Sequence, residues 1–421
     1  MSIVIGAIAD DFTGATDLCN TLVKEGVRVV QVIGVPDGST DYGDADAVVV
    51  ALKSRTAPVA EAVEQSVNAY DWLVAQGAQQ VIEKYCSTFD STADGNIGPI
   101  TDALMKRAGV DMTIICPAFP ENGRTIYNGH LFVGPDLLSD SSMKDHPLTP
   151  MRDASLVRLT ERQSKGKAGV VPLQTVRTSV ESIRNGLETL AADGVNYAVI
   201  DAIEVEDLRQ IGAALSGMKL VTGGSGIAAG LPANFRDRGQ LGAPNRPEFP
   251  RVGGRQLVLA GSCSKATRGQ IARAKENWPT RKIDIDQIAA GEDIVSALAN
   301  WAIGQPADKP ALIYASADPA EVAASQARYG VHEAGEMVER TLGELAIRLT
   351  QAGFDKLVVA GGETSGAVVS ALGVQSLRIG PEIAPGVPWT ETTGGKHIAL
   401  ALKSGNFGGE TFFEEAFELL P

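Results

Sequence analysis

Only four cysteines occur in 421 residues, Cys19, Cys86, Cys116 and Cys263, widely spaced and without a Cys-x-x-Cys pair. That argues against a disulfide framework or a zinc module and predicts a reduced, cytoplasmic protein. Histidines are equally few, and His130 and His146 show no metal-ligand spacing, so no dedicated metal site is expected. No apolar run approaches the roughly 20 residues needed to span a bilayer, and no basic region or cleavage site precedes the first strand-like pattern. No membrane partner is expected. Positive charge is in deficit, 37 Lys+Arg against 51 Asp+Glu for a net charge of -14. This argues against a broad nucleic-acid footprint while leaving local basic sites for small anions. Neither a Gly-x-x-x-x-Gly-Lys-[Ser/Thr] loop nor the protein-kinase signature set is present, which disfavours both of those phosphate-binding designs.

What is present is length, 44% hydrophobic residues, and a regular alternation of short β-branched runs with longer helical periods. Strands are predicted over 3–9, 27–33, 47–52, 80–84, 112–116, 197–200 and 219–221, with helices over 15–25, 58–75, 97–107 and 180–192. Residues 231–254 carry four prolines and four glycines with little apolar periodicity, and read as a linker or crossover. Beyond it, strands are predicted over 256–260, 282–285, 311–315, 356–359 and 397–402, and helices over 266–275, 294–303, 336–351 and 364–371. The expected fold is α/β, with two domains, 1–230 and 255–421, whose mostly parallel sheets face an interdomain cleft.

In such sheets ligands gather beyond the C-terminal ends of strands. In the second half those ends are Gly261-Ser262-Cys263-Ser264, Ser316-Ala317, Gly361-Gly362-Glu363-Thr364-Ser365-Gly366 and Lys403-Ser404-Gly405-Asn406. Gly362 permits close backbone approach, and Thr364 and Ser365 begin a helix whose N–H groups and dipole favour phosphate. Ser262 and Ser264 offer hydroxyl donors, and Lys403 a point charge. Ordinary Gly-Ser connections would look similar one at a time; together they predict a nucleotide site. Cys263 reads as a small loop residue, since no patterned histidine accompanies it. Gly224-x-Gly226-x-x-Ala229 follows a strand and matches the dinucleotide fingerprint, but the chain then enters the proline-rich stretch instead of a strand with an acidic end.

The first half gathers a different chemistry. Asp10-Asp11 follow the first strand, Lys53 to Thr56 the third, Lys84 to Asn96 the fourth, and Glu121-Asn122-Gly123-Arg124 the fifth. Lys53, Arg55, Lys84 and Arg124 suit a carboxylate, while Asp90, Asn96, Asn122 and Gly123 suit hydroxyls, so an anionic, polyhydroxylated small molecule is expected. Each also has a plain structural reading: Asp10 or Asp11 as a helix cap, Arg55 as a solvated loop charge, Asp90-Ser91-Thr92 as a turn.

IADDFTGATD, LKSRT, KYCSTFDSTADGNIGP, CPAFPENGRTIYNGHLFVG, HPLTPM, VTGGSG, AGSCS, AGGETSGAV, IGPEIAPGVPW and LALKSGNFG run in this order along the whole chain. So arranged, they resemble the four-carbon acid sugar kinases, more narrowly the branch acting on 3-oxo-tetronates. The resemblance implies a sugar-acid domain followed by an ATP domain, with transfer of the γ-phosphoryl to the C4 hydroxyl. Relatives acting on threonate or erythronate tend to carry Arg where this chain has Asp94, a charge reversal that fits the oxo-acid branch. Asp10 and Asp11 are then the candidate bases. Ser262, Ser264, Gly361, Gly362, Glu363, Thr364, Lys403, Ser404, Gly405 and Asn406 become candidate nucleotide contacts. Mg²⁺ is expected to arrive with ATP, and a homodimer is compatible with the resemblance. The competing readings are an NAD-dependent sugar-acid dehydrogenase and a non-catalytic sugar-acid sensor.

Overall fold

Runs such as Ala47–Ala51, AVVVA, are buried at every position, as parallel strands covered by helices on both faces must be. The computed structural model describes residues 2–38, 40–146, 149–244, 249, 251–393 and 396–420. Pro147 and Leu148 of the HPLTPM segment, and residues 245–248 and 250 of the stretch read as a linker, lie outside the described residues. Residues 231–237 of that stretch are helical. The chain divides into two compact units, Met1–Pro247 and Glu248–Pro421.

The first unit carries β1 (Ile5–Ala9), β2 (Val29–Ile33), β3 (Ala47–Ala51), β4 (Gln80–Lys84), β5 (Thr113–Ile115), β6 (Arg124–Tyr127), β7 (His130–Val133), β8 (Asp136–Leu137), β9 (Lys167–Val171), β10 (Val195–Ile200) and β11 (Leu220–Gly223). Its main sheet runs β11-β4-β1-β3-β2, all parallel. The predicted fifth and sixth strands do not extend that sheet. They form a second parallel sheet, β5-β10-β9, and β6-β7-β8 make an antiparallel one. The helix Phe12–Lys24 begins three residues before its predicted start because Asp11 caps it. Leu18, Cys19 and Leu22 form part of its buried face.

The second unit contains β12 (Arg255–Ala260), β13 (Thr280–Lys282), β14 (Ala311–Tyr314), β15 (Phe354–Ala360), β16 (Ser376–Ala384), β17 (Val387–Thr392) and β18 (Ala399–Lys403), in the order β16-β17-β18-β15-β12-β14-β13. Every pairing from β18 to β13 is parallel, and β17 alone runs the other way, antiparallel to both β16 and β18. The strand expected over 282–285 ends at Lys282, and a helix covers Ile285–Ala289 under the cap of Asp284. Trp389 anchors one face of this unit, wholly buried among Phe412, Phe413 and Phe417, with its indole N–H donating to the Ala416 carbonyl at 2.7 Å. The α/β alternation expected from the periodicity is thus present in both units.

Candidate functional site

In the first unit, adjacent parallel strands β1, β3 and β4 end together, and their next residues converge. Asp10 N–H donates to the Lys84 carbonyl, and Ser54 and Arg55 N–H donate to the Asp10 carbonyl. This backbone knot fixes three side chains. Arg55 grips Asp10 with two parallel bonds, Nε to Oδ2 at 2.8 Å and Nη2 to Oδ1 at 3.0 Å, and its Nη2 lies 3.2 Å from Asp11 Oδ1. Asp11 is also the helix cap, accepting from Gly14 N at 2.7 Å and Thr13 Oγ1 at 3.0 Å. Burial works against its charge, but Arg55, Lys84 and these donors outweigh it and leave the Asp11 carboxyl below its ordinary range. Burial likewise opposes charge on Arg55, yet Asp10 and Asp11 hold the guanidinium charged well above its ordinary value.

Lys84 is 3% exposed, and its Nζ donates to the Tyr85 carbonyl at 2.9 Å. A Cβ on Gly14 would stand 2.3 Å from Asp11 Oδ1 and 2.9 Å from Lys84 Nζ, so only glycine lets both charges reach this turn. Asn96 Nδ2 donates to the carbonyls of Ser54 at 2.6 Å and Ala57 at 2.9 Å, clamping the loop that carries Arg55. A small cavity of about 20 Å³, room for one hydroxyl or water, is lined by Asp10, Arg55, Glu83, Lys84, Asp90 and Asn96 among others. Asp90 Oδ1 and Ser66 Oγ, which also line it, are buried without a hydrogen-bond partner. Lys53 is exposed and does not line this cavity, nor do Asn122, Gly123 and Arg124. The last three form the turn into β6, where Gly123 has φ +69 and Arg124 Nη1 donates to the Asn122 carbonyl.

Two acids here escaped sequence reasoning, because burial is not written in local pattern. Glu83 is 4% exposed, and burial pushes its carboxyl up to about 8. Thr101 Oγ1 lies 2.7 Å from Glu83 Oε2 and 2.8 Å from the Ile97 carbonyl. One hydroxyl has one proton, so a Glu83 that keeps its own completes both bonds. Asp17, pushed by burial up to about 7, accepts from Ser225 Oγ at 2.6 Å, and Lys84 pulls in the opposite direction. Burial, then Asp90, pushes the Cys86 thiol up to about 12, against the thiolate that a nucleophile needs.

The glycines of the dinucleotide fingerprint serve packing. The segment Ser225–Gly230 is a buried 3₁₀ turn. A Cβ on Gly224 would lie 2.6 Å from the Pro117 carbonyl, one on Gly226 2.6 Å from that of Ala118, and one on Gly230 2.8 Å from Gly212 Cα. Backbone meets backbone where a dinucleotide would need to lie.

In the second unit, loops after β12, β14, β15 and β18 lie side by side. Gly261 and Ser262 N–H both donate to the Ala360 carbonyl, and Gly361 N–H donates to that of Lys403. Ser316 Oγ donates to the Ser262 carbonyl at 2.5 Å, and Ser264, which caps the helix Lys265–Ala274, donates to the Gly405 carbonyl at 2.5 Å. Gly361 has φ +130, a conformation suited to glycine, and leads into the helix Gly362–Ala371. A cavity of about 790 Å³, within the usual range for ligand pockets, is lined by Gly261 to Cys263, by Gly361 to Thr364, and by apolar side chains including Ile283, Val322 and Val338. Its two basic lining residues are paired, Lys282 with Glu321 at 2.8 Å and Arg328 with Asp286 at 2.8 Å. Backbone N–H groups and helix N-termini are therefore the donors suited to phosphates here. Ser404, Gly405 and Asn406 do not line this cavity, but Gly405 touches its wall, since a Cβ there would stand 2.3 Å from Ser262 Oγ. Lys403 is enclosed by oxygens of the same loop.

One α/β unit thus carries a carboxylate, guanidinium and ammonium cluster with chemistry suited to a polar small molecule, and the other a glycine-lined cavity with chemistry suited to phosphates. Family models agree: residues 5–231 match a sugar-binding N-terminal domain and 257–413 a nucleotide-binding C-terminal domain. The chain belongs to the four-carbon acid sugar kinase family. It is 54% identical over 418 residues to a 3-oxo-tetronate kinase of Burkholderia multivorans, covering 99% of this chain and 97% of the relative. Against the 3-oxo-tetronate kinase of Cupriavidus necator it is 54% identical over 423 residues, with the same coverage. A crystal structure of a Salmonella typhimurium LT2 protein, 45% identical, superposes with a TM-score of 0.88 over 99% of each chain. No helix among the described residues is long and apolar enough to cross a membrane.

Proposed function

We propose that this chain is an ATP-dependent kinase that phosphorylates the C4 hydroxyl of a 3-oxo-tetronate. The observation that carries this reading is its 54% identity, over nearly the full length of both chains, to 3-oxo-tetronate kinases. The geometry of each unit supports it. The C4 oxygen forms a bond to the γ-phosphorus, the bond from that phosphorus to the β–γ bridging oxygen breaks, ADP leaves, and the hydroxyl proton passes to a carboxylate and then to water. Asp10, held by Arg55 through both oxygens, is assigned that proton because it lines the small cavity, which Asp11, the cap of the following helix, does not. General-base assistance of this kind is worth about 10²–10⁴-fold. Arg55 and Lys84 orient Asp10 and Asp11 and balance the charge of an acidic substrate, with Asp90 and Asn96 beside them. Lys53, Asn122, Gly123 and Arg124 are assigned to the edge of the acid site.

In the second unit, backbone at Gly361, Gly362 and Thr364 and the hydroxyl of Ser262 receive the phosphates, with Glu363 beside them; Ser264, whose proton goes to the Gly405 carbonyl, and Ser404, Gly405 and Asn406 are assigned to shaping the adjoining loops. Among the described residues no group of three or more His, Cys, Asp or Glu is placed to hold a metal ion. This reading has Mg²⁺ carried in by the triphosphate with most of its water shell, in a cavity that Glu363 helps to line. Mg²⁺ supplies neutralisation of phosphate charge when bound. Domain limits of 1–230 and 255–421, a cytoplasmic location and a homodimer belong to the same reading. The test is ADP release from ATP across a panel of four-carbon acids and their 3-oxo forms, with Asp10→Asn and Asp11→Asn beside the parent chain. Turnover should be restricted to oxo acids, and Asp10→Asn should lose more kcat than Asp11→Asn. Equal activity in all three chains would sink the base assignment, and reduction of NAD by a tetronate would revive a dehydrogenase.

A further inference from the structure

An ammonium taken out of water must recover its lost hydration from fixed oxygens. Lys403, the last residue of β18, is 0% exposed, and its Nζ donates to the carbonyls of Ser404 at 2.9 Å, Gly405 at 3.0 Å and Phe407 at 3.1 Å, and to Thr267 Oγ1 at 3.1 Å. All four partners are neutral oxygens, three of them main-chain carbonyls of one loop. This is the donor set by which backbone cages replace the water shell of a free monovalent cation. Desolvation pushes the amine down to about 7. Four acceptors oppose that, since only the protonated form has three N–H donors to give.

The same loop is gathered from the helix Lys265–Ala274. Gln270 Nε2 donates to the carbonyls of Phe407, Gly408 and Gly409 at 3.0–3.1 Å, and Thr267 Oγ1 to that of Gly405 at 2.9 Å. In a trans peptide the N–H points away from the C=O. The Phe407 N–H closes the loop on the Ser404 carbonyl at 3.1 Å; where the other carbonyls are drawn to one side, the amides bonded to them turn to the other, as in anion-binding nests.

We propose that Lys403 is a tethered monovalent cation: its ammonium fills a carbonyl cage that would otherwise take K⁺ or NH₄⁺, and so shapes the 404–408 loop for the nucleotide. This rests on the nucleotide reading of the second unit and makes Lys403 a positioning residue, acting through the loop. It also accounts for a lysine that lines no part of the large cavity.

The test compares the parent chain with Lys403→Ala, which empties the cage, and Lys403→Met, which fills it without charge. Each is purified and assayed at matched ionic strength in K⁺, NH₄⁺, Na⁺ or tetramethylammonium chloride. The parent should be indifferent to the cation. Lys403→Ala should show a KM for ATP raised about tenfold or more, as for lost hydrogen bonds to a charged group, with KM for the acid unchanged. NH₄⁺ or K⁺ should restore it, and should raise its melting temperature over tetramethylammonium without nucleotide. Lys403→Met should lose ATP affinity and gain nothing from any cation. An unaltered KM for ATP in Lys403→Ala, a loss that no cation repairs, or an alanine variant that stays unfolded even in NH₄⁺ overturns the proposal. If the parent itself does not bind ATP, the functional reading fails, while the nucleotide-free melting comparison still decides the cage.

Discussion

At the scale of single residues, the Asp10-Asp11 pair shows how neighbours with one chemistry receive two jobs. Asp11 spends its oxygens on Gly14 and Thr13, the capping role a sequence reader weighs against catalysis, while Asp10 stays beside the small cavity. Gly14→Ala would push a methyl into both Asp11 Oδ1 and Lys84 Nζ. Displacement of that order costs up to about a hundredfold in turnover; kinetics with ATP saturating should show this loss, with the KM for ATP unmoved. Glu83 makes a second prediction. Its folded value of about 8 lies above the ordinary 4.5, so between those pH values the native state holds a proton the unfolded chain has released. Stability therefore falls as pH rises through that window, by roughly 1.4 kcal/mol for each pH step of one between the two values. Glu83→Gln removes the penalty, and its melting temperature relative to the parent should climb from pH 5 to 8. A difference that is flat with pH would mean Glu83 is charged in the native protein.

Among elements, the decisive parts are short loops held by a single donor. Asn96 sits one residue before a helix yet makes no capping bond; its amide clamps the carbonyls of Ser54 and Ala57. Asn96→Ala frees the Arg55 loop and should lower stability by about 1–3 kcal/mol, the cost of orphaned buried carbonyls, with a fall in kcat beyond any change in folded fraction. Denaturant titration beside steady-state kinetics separates the two effects. In the second unit Gly361, at φ +130, has Thr364 Oγ1 2.8 Å and Ser262 N 3.2 Å from where a Cβ would be. Gly361→Ala should weaken ATP binding and leave acid binding intact, measured by calorimetry with each ligand alone. Both roles were only partly legible beforehand: a glycine after a strand is visible in a sequence, and the atoms crowding it are not.

For the whole molecule, the assignment of one ligand to each unit predicts a protection pattern. Hydrogen exchange with the acid alone should slow amides around 10–14, 54–57 and 84–96. ATP alone should slow those around 261–264, 361–364 and 404–408. Binding at a hundredfold excess over Kd stabilises by about 2.7 kcal/mol, enough to register in either set. A reversed pattern would overturn the assignment of the two sites.

The sequence alone determined the alternation of strand and helix, the division into two α/β halves, and which loops carry charge or glycine, because periodicity and turn chemistry are local properties of the chain. It placed Asp10, Arg55 and Lys84 at the ends of the first, third and fourth strands, and parallel pairing of β1 with β3 and β4 brought those ends together. Only the tertiary structure decided that β5, β9 and β10 form a sheet of their own, that the fingerprint glycines Gly224 and Gly226 exist for backbone packing, and that Lys403 is spent on its own loop. Each of these turns on which backbone lies against which, a long-range contact without a local signature. Burial then set the chemistry of Glu83 and Asp17, since desolvation depends on everything packed around a group and not on its neighbours in the chain.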